Sequence, residues 1–303
     1  MRILFVGDIA SGRPIIESIK RHGQLVGVAV GTDHQQSAAR GLGVDVFAAR
    51  DLNADRTLAR IRALGLDLIV NFNSTIIFSE QLLECPRIGA INFHPGLLPD
   101  YAGLNVHQWA MLNDETETGV TIHVMTPGID EGPIVAQETV RIETEDTGLT
   151  LFMKLLRVGA ALMAGVLDGV SASGFPDAKR QDLTHRRVFK AADRPDCRID
   201  FSKSADCVAQ FIRALSYRPF ASPLGVPYCV TPGGPLEIAS VSTSSFETGN
   251  SPSPGTIIEL DRGHLEVACV DGKLTARACY LDGAKIEFDQ AVERLGMRVG
   301  LVL

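Results

Sequence analysis

Residues Ala90 to Gly103 read Ala-Ile-Asn-Phe-His-Pro-Gly-Leu-Leu-Pro-Asp-Tyr-Ala-Gly. The stretch continues an apolar run, Ile88 to Phe93, which carries Asn92 near its end and is followed directly by His94. Two prolines and two glycines then predict a stiff loop. Because α/β proteins place their chemistry where buried strands end in loops, we expect Asn92 and His94 to lie in a functional site.

A second tight loop, Gly128 to Pro133, carries a carboxylate, Asp130, at its tip. Residues of these three types on separate loops could form one site: an amide donor, an imidazole, and an acid that orients the imidazole. Each residue also has an ordinary structural interpretation. Asn92 could satisfy loop backbone, His94 could be a hydrogen-bonded structural histidine, and Asp130 could form a turn.

Between residue 1 and this stretch, continuous apolar runs alternate with helical patterns. One predicted helix, Ala54 to Leu64, is expected to be capped by Asn53. The first strand-to-helix turn, Gly7 to Gly12, is not G-x-G-x-x-G, so a dinucleotide site would lack its phosphate loop. Apolar strands alternating with helices indicate an α/β fold with a Rossmann-like, doubly wound and mainly parallel sheet. The predicted strands are Arg2 to Gly7, Leu25 to Val30, Val44 to Ala48, Leu66 to Val70 and Ile88 to Phe93.

The rest of the first domain, expected to span residues 1–190, continues with mixed elements. Gly119 to Met125 and Pro133 to Ile142 are predicted strands that could pair, with the Asp130 loop between them. Ser171 to Asp200 is rich in charge and turn residues, and we interpret it as a solvated linker. Helices are predicted at Asn105 to Leu112 and Thr147 to Leu167.

Residues 191–303 are expected to hold the end of the linker and a second domain. A helix is predicted at Ser204 to Leu215, with apolar residues on one face. Short alternating segments separated by turn residues predict a small antiparallel β domain, an OB-like barrel or a sandwich. These segments are Leu236 to Val241, Gly255 to Leu260, His264 to Val270 and Lys273 to Leu281.

Composition excludes several classes of protein. A chain of 303 residues with 45% hydrophobic residues is long enough for about two domains of ~150 residues with packed cores. The net charge of −7 argues against broad binding to DNA, RNA or anionic membranes. The six cysteines show no C-x-x-C spacing, so we expect neither a zinc site nor a disulfide framework. No stretch approaches the ~20 apolar residues of a membrane span, and the expected location is the cytoplasm.

The opening stretch also resembles a known family. Asn92 to Pro99, followed by Tyr101 and Gly103, is similar to the signature of the formyltransferases that use 10-formyltetrahydrofolate. So are the runs Glu117 to His123 and Gly128 to Val135. The family includes glycinamide ribonucleotide transformylase, methionyl-tRNA formyltransferase, amino-sugar N-formyltransferases and formyltetrahydrofolate hydrolases. Its members transfer or release a formyl group, so the resemblance implies an enzyme.

Two further runs resemble the C-terminal domain of methionyl-tRNA formyltransferase and of some sugar formyltransferases. They are Arg213 to Phe220 and Pro254 to Ile258. Glycinamide ribonucleotide transformylase lacks this domain, so its presence narrows the choice. A homodimer through this domain is expected on family analogy alone.

The resemblance assigns catalysis to Asn92, His94 and Asp130, which together at family spacing we interpret as functional. It implies 10-formyltetrahydrofolate as formyl donor and no metal. His107 and His123 are interpreted as structural or supporting. The folate is expected to contact Ile76, Phe78, Ile88, Gly89, Ala90, Met125, Gly128 and Ile129. The acceptor side is expected to include Gly96, Tyr101, Trp109 and Glu131.

The expected acceptor is the primary amine of a small or carrier-bound molecule, such as an amino-sugar nucleotide, an amino acid or a peptide-type intermediate. Methionyl-tRNA formyltransferases carry basic residues where this chain has Asp100 and Ala102, and a basic insertion where Asp33 to Asp55 holds only Arg40 and Arg50. Because RNA binding needs several phosphate contacts, tRNA is the disfavoured alternative. A formyltetrahydrofolate hydrolase and a non-catalytic folate-binding module are further alternatives. The family usually has Ser at Gly96, which predicts an altered loop.

Overall fold

The computed structural model describes residues 1–170, 174–246 and 251–303. These residues group into two compact units. The first unit comprises Met1–Val106, Glu117–Arg141 and Phe152–Lys190. The second comprises His107–Thr116, Ile142–Leu151 and Ala191–Leu303.

The first unit is built on a seven-stranded sheet with strand order β3-β2-β1-β4-β5-β7-β8. The first five of these strands run parallel, β7 runs antiparallel to β5, and β8 runs antiparallel to β7. The seven strands of this sheet are β1 Arg2–Gly7, β2 Gln24–Val30, β3 Asp45–Ala48, β4 Leu68–Phe72, β5 Gly89–His94, β7 Glu117–Val124 and β8 Ile134–Arg141. Two further strands, β6 Tyr101–Gly103 and β9 Arg187–Phe189, pair with each other outside it. The predicted mainly parallel sheet and the pairing of β7 with β8 are confirmed. Strand β4 is buried along its whole length, as expected of a central strand covered on both faces.

Helices fill the connections between strands. The α-helices of the described residues are α1 Arg13–His22, α2 Asp33–Ala39, α3 Asp55–Ala63, α4 Glu80–Leu83, α5 Val106–Leu112, α6 Gly148–Gly169, α7 Ala205–Leu215 and α8 Phe288–Leu295. Short 3-10 turns lie at Arg40–Leu42, Ala49–Asp51 and Ala191–Asp193. The predicted cap of α3 is wrong, because Ala54 occupies the cap position without a side-chain hydrogen bond. Asn53 instead bonds across the loop, donating to the Ile77 carbonyl and accepting from the Ser79 N–H.

Helix α6 packs directly on the strand that carries the candidate site. A Cβ atom at Gly159 would collide with the Phe93 ring of β5, so glycine allows this close approach. By length and composition α6 could cross a membrane, and the expectation that no stretch is so long and apolar is wrong. The core helix of a soluble protein passes the same test, and α6 buries Leu155, Met163 and Leu167.

The interpretation of Ser171 to Asp200 as a solvated linker is wrong for residues 179–189, which pair with other parts of the first unit. Residues 171–173 lie outside the described ranges. Beyond them, β9 pairs in parallel with β6 of the proline-rich loop, and the rings of Tyr101 and Phe189 stack at 5.5 Å. Lys179 also pairs with Ile134 through two backbone hydrogen bonds of 2.8 Å. The local sequence, rich in charged and turn residues, did not predict these contacts, because both backbone pairings join segments that are distant in the chain.

The second unit contains a six-stranded antiparallel sheet in the order β10-β11-β14-β13-β12, with β15 paired to β14. Its strands are β10 Tyr228–Thr231, β11 Gly234–Ser245, β12 Ile257–Leu260, β13 Leu265–Ala268, β14 Gly272–Leu281 and β15 Ala284–Ile286. Helix α7 is capped by Ser204 and buries Val208 and Ile212 in the core of this unit. The predicted fold class, an α/β sheet followed by an antiparallel β domain, is confirmed.

Candidate active site

Three polar side chains lie side by side across the carboxyl end of the parallel strands. In register, Asn71 of β4 is opposite Asn92 of β5, and Asn92 is opposite His123 of β7. The Asn71 amide donates to Asn92 Oδ1 at 2.8 Å, which leaves the Asn92 NH2 group directed at His123 Nε2, 3.1 Å away. Because residues at paired positions share one face of a sheet, β-pairing alone aligns these groups.

Asp130 reaches this row from the loop between β7 and β8. Its backbone φ of 51° is left-handed, a conformation that Asp and Asn tolerate better than most residues. Asp130 Oδ2 accepts the Gly103 N–H at 2.8 Å and lies 3.4 Å from His94 Nδ1. Asp130 Oδ1 lies 3.4 Å from His123 Nε2. The carboxylate therefore joins two imidazoles whose side chains are each only 3% exposed.

His94 is fixed by the loop that follows it. Its Nε2 lies 2.6 Å from the Tyr101 carbonyl oxygen, which can only accept, so Nε2 carries a proton. In the neutral ring the unprotonated Nδ1 then faces Asp130. Gly96 makes this possible, because a Cβ there would lie 2.7 Å from Val106 Cγ2 and 2.9 Å from both His94 Nε2 and the Tyr101 oxygen. The serine expected from the family pattern would have to displace this loop.

The charges of the pair follow from burial and neighbours. Burial lowers the pKa of His94 by disfavouring imidazolium, and this outweighs the opposing charge of Asp130. Burial would raise the pKa of Asp130, but the positive charge that His94 or His123 gains on protonation, together with the Gly103 N–H, outweighs burial and places this pKa well below its ordinary value. At neutral pH a neutral imidazole thus faces an ionised carboxylate, an arrangement that can accept one proton.

His123 is the site residue that sequence reasoning undervalued. Its Nδ1 donates to the Val124 carbonyl at 3.0 Å, so the neutral ring offers the Nε2 lone pair to the Asn92 amide. The signal that could have found it is the pairing of β7 with β5, which sets His123 opposite Asn92. His107, by contrast, belongs to the second unit, where its Nε2 lies 2.8 Å from the Tyr217 hydroxyl.

Two further residues come from the segment taken for a linker. The Gln181 side-chain amide donates to the carbonyls of Asp130 at 2.9 Å and Gly132 at 2.6 Å, so it holds the carboxylate loop in place. Arg186 Nη1 lies 3.9 Å from Glu131 Oε2. Its Nε and Nη2 are buried and have no partner among the described residues. Leaving such donors buried and unpaired costs about 1–3 kcal/mol each.

The predicted folate contacts differ in burial and in the bonds they already make. Ala90 accepts the Met125 N–H at 2.8 Å, which ties the ends of β5 and β7 together. Phe78 is only 3% exposed and packs in the apolar core, and its expected place in a binding wall stays a prediction. The remaining residues leave surface or backbone accessible, and their role stays a prediction: half-buried Ile76, Ile88, Gly89 and Gly128, and exposed Ile129.

The predicted acceptor residues are also spread. Gly96 and Tyr101 are buried, and the Tyr101 ring packs on Phe189, so both support the loop. The Glu131 side chain is 38% exposed beside Asp130. Trp109 is half-buried in the second unit. Binding of an acceptor by any of these residues stays a prediction.

Comparison with known proteins shows which family the chain resembles. The family model described as formyl transferase matches residues 1–167, and the model described as formyl transferase, C-terminal domain, matches residues 193–290. Methionyl-tRNA formyltransferase of Geotalea uraniireducens is 30% identical over 301 residues, covering 94% of this chain and 92% of that protein. The enzyme of the same name from Xanthomonas axonopodis pv. citri is 27% identical, covering 94% of each.

A solved structure extends the likeness to the fold. The N-formyltransferase from Helicobacter canadensis, in complex with folinic acid and dTDP-3-aminofucose, superposes with a TM-score of 0.66 at 18% identity. The match covers 92% of this chain and 99% of that one. With family models spanning both parts of the sequence and a full-length relative at 30% identity, this chain belongs to the formyl transferase family.

Proposed function

We propose that this enzyme transfers a formyl group from 10-formyltetrahydrofolate to the primary amine of a small or carrier-bound acceptor. The observation that carries the proposal is the cluster of Asn92, His123, Asp130 and His94 where β5 and β7 meet their loops. It combines an amide donor with a buried pair that can accept a proton. Formyl transfer to an amine needs these two groups and no covalent enzyme intermediate.

The side chains divide the work. The amine attacks the formyl carbon, and a C–N bond forms as the carbonyl oxygen gains negative charge. The Asn92 NH2 group directs one N–H at His123 and can donate the other to this oxygen, a contribution of about 3 kcal/mol for donors of this type. The His94–Asp130 pair takes the proton from the amine. It returns the proton to the leaving nitrogen as the second C–N bond breaks.

His123 and Gln181 act through these groups as positioning residues. The His123 ring holds the Asn92 amide, and Gln181 holds the backbone of Asp130. A site in which each reacting group has a second hydrogen bond is preorganised, so little reorganisation is needed during transfer. This is why we include both residues in the proposed machinery.

The donor proposal is supported by the Helicobacter canadensis relative, whose structure holds folinic acid. For this chain we propose that the pterin lies against the backbone of Ile88 to Ala90 and the Met125 to Ile129 loop, beside Ile76. We further propose catalysis without a metal, a catalytic domain over residues 1–190, and a second domain over 191–303. A cytoplasmic location and a homodimer complete the proposal.

Methionyl-tRNA is the second candidate for the formyl acceptor. The curated relatives at 30% and 27% identity act on that substrate by name. Against it, residues 33–55 offer only Arg40 and Arg50 as basic side chains, and the chain carries a net charge of −7. Since phosphate contacts supply most of the affinity for RNA, we favour an acceptor smaller than tRNA.

The test follows formyl release from 10-formyltetrahydrofolate by absorbance, with pooled amines and Met-tRNA supplied separately. Release only with a small or carrier-bound amine supports the proposal. Release driven by Met-tRNA favours the second candidate. Release without any acceptor would indicate a formyltetrahydrofolate hydrolase, and no release under any condition would indicate a folate-binding module and refute the proposal.

A further inference from the structure

Arg186 is a charged side chain near the site that has no role in the proposed reaction. Its side chain is 15% exposed and approaches Glu131 at 3.9 Å through Nη1 alone. Nε and Nη2 are shielded from solvent, and no described residue accepts from them. A buried guanidinium with a single loose ion pair is incompletely satisfied, so this position is built for a further partner.

The two unpaired atoms lie on the same edge of the guanidinium. On that edge the Nε–H and one Nη2–H are parallel, which matches the spacing of two oxygens of a carboxylate or a phosphate. Nη1, which points to Glu131, lies on the opposite side. An anion with two acceptor oxygens in one plane matches the geometry of this edge.

The position of Arg186 places this edge near the transfer chemistry. Gln181 binds the backbone of Asp130 and Gly132, and Arg186 pairs with Glu131 between them. The charge of Arg186 also contributes to the lowered pKa of His94. Among the described residues of the first unit, the charged and titratable groups shown to interact with Arg186 are Glu131 and His94.

We propose that Arg186 binds an anionic group, a carboxylate or a phosphate, carried by the formyl acceptor next to its amine. The inference rests on the proposed function and narrows the acceptor to amines that bear such a group. Glu131, 38% exposed, lies against Nη1 on the opposite side of the guanidinium, and its negative charge disfavours the incoming anion.

Binding of inorganic phosphate tests the anion site without any knowledge of the acceptor. The proteins are the full-length wild type, Arg186→Lys and Glu131→Gln, with Arg187→Lys as matched control because Arg187 is the exposed neighbour on β9. We expect Arg186→Lys to weaken phosphate binding by about tenfold or more, since lysine keeps the charge but loses the bidentate edge. Glu131→Gln should strengthen it by about threefold, because a competing charge is removed.

Formyl transfer tests the assignment to the acceptor. Three sets of amines are compared: those with a carboxylate, those with a phosphate and those with neither. We expect the wild type to use one of the anionic sets, and Arg186→Lys to raise the KM for that acceptor about tenfold with kcat and the KM for 10-formyltetrahydrofolate unchanged. Binding of 5-formyltetrahydrofolate and the unfolding midpoint show that the variant is folded.

The outcomes separate cleanly. Equal phosphate binding by wild type and Arg186→Lys would overturn the inference and leave the proposed function standing. Loss of phosphate binding when 5-formyltetrahydrofolate saturates the protein, or a KM effect on the donor alone, would assign the edge to the carboxylates of the folate and overturn the acceptor assignment. Phosphate binding that depends on Arg186, without formyl transfer to any amine or to Met-tRNA, would refute the proposed function.

Discussion

Replacing Asp130 by Asn removes one charge from the site and little else. Asn tolerates the left-handed backbone at φ 51° and can still accept the Gly103 N–H through its carbonyl oxygen. The carboxylate lies 3.4 Å from His94 Nδ1. With an effective dielectric constant of ~20, Coulomb's law gives about 5 kcal/mol between unit charges at that distance, the stabilisation available to imidazolium once it holds the proton of the amine.

Part of this energy is screened, because the Asp130 side chain is 14% exposed. We expect kcat to fall about 10²- to 10³-fold, which corresponds to about 3–4 kcal/mol, with KM for both substrates little changed. The pKa of His94 should fall further, because the only charge that raises it is removed. Single-turnover formyl transfer measures the first effect, and NMR titration of the histidine ring protons measures the second.

Asp100→Asn is the matched control, since Asp100 is an exposed carboxylate on the loop that follows His94, and among the described residues it bonds through its backbone carbonyl, to the Arg187 N–H. It should leave kcat unchanged. Binding of 5-formyltetrahydrofolate to Asp130→Asn should also be retained, which shows that the fold is intact. A folded Asp130→Asn protein with kcat within about threefold of wild type would refute the assignment of proton transfer to this pair.

Three other changes test separate parts of the site. His123→Gln should lower kcat about 10- to 100-fold with folate binding retained, because the ring positions the amide donor; unchanged kcat would make His123 structural only. Gly96→Ser should lower the free energy of unfolding by about 1–3 kcal/mol in urea, because its Cβ would lie 2.7 Å from Val106, whereas Gly41→Ser, with no atom within 4 Å, should not. The free energy of unfolding should decrease as pH falls below about 6.5, because His94 binds a proton in the unfolded chain but not in the folded, buried site. Urea unfolding at pH 7.5 and 5.5 measures this decrease, which should be smaller in His94→Gln than in the wild type. An equal decrease in both proteins would exclude this linkage.

The sequence predicted the sheet because its signal is local. Continuous apolar runs separated by helical patterns are typical of buried parallel strands, and four of the five predicted strands before residue 95 overlap the observed ones within one residue at their first position. Strand β4 begins two residues late, at Leu68. The helix cap was predicted less well, because Asn53 does not cap α3 but donates to the Ile77 carbonyl. Ser204 caps α7.

The candidate site was predicted in part for a similar reason. Asn92 and His94 lie at the end of a strand and Asp130 at the tip of a turn, and both features are visible in a short window. An apolar segment alone does not show which side chains the core will cover, and Phe78 of the expected binding wall packs in the apolar core.

Other features depended on contacts between distant parts of the chain. The antiparallel register of β7 with β5 brings His123 to Asn92, 31 residues earlier. The charged segment that the sequence analysis interpreted as a solvated linker pairs through β9 with β6 and holds the Asp130 loop through Gln181. It also brings Arg186 beside Glu131.

By itself the sequence determined the α/β class and the strand that carries Asn92, because periodicity and turn chemistry act over a few residues. The residue types needed for formyl transfer followed from its resemblance to the formyltransferases. Only the tertiary structure decided which imidazole bridges the amide and the carboxylate, and which arginine is left with an unpaired edge. Backbone pairing between segments 31 to 86 residues apart fixes these contacts, and no local pattern encodes its register.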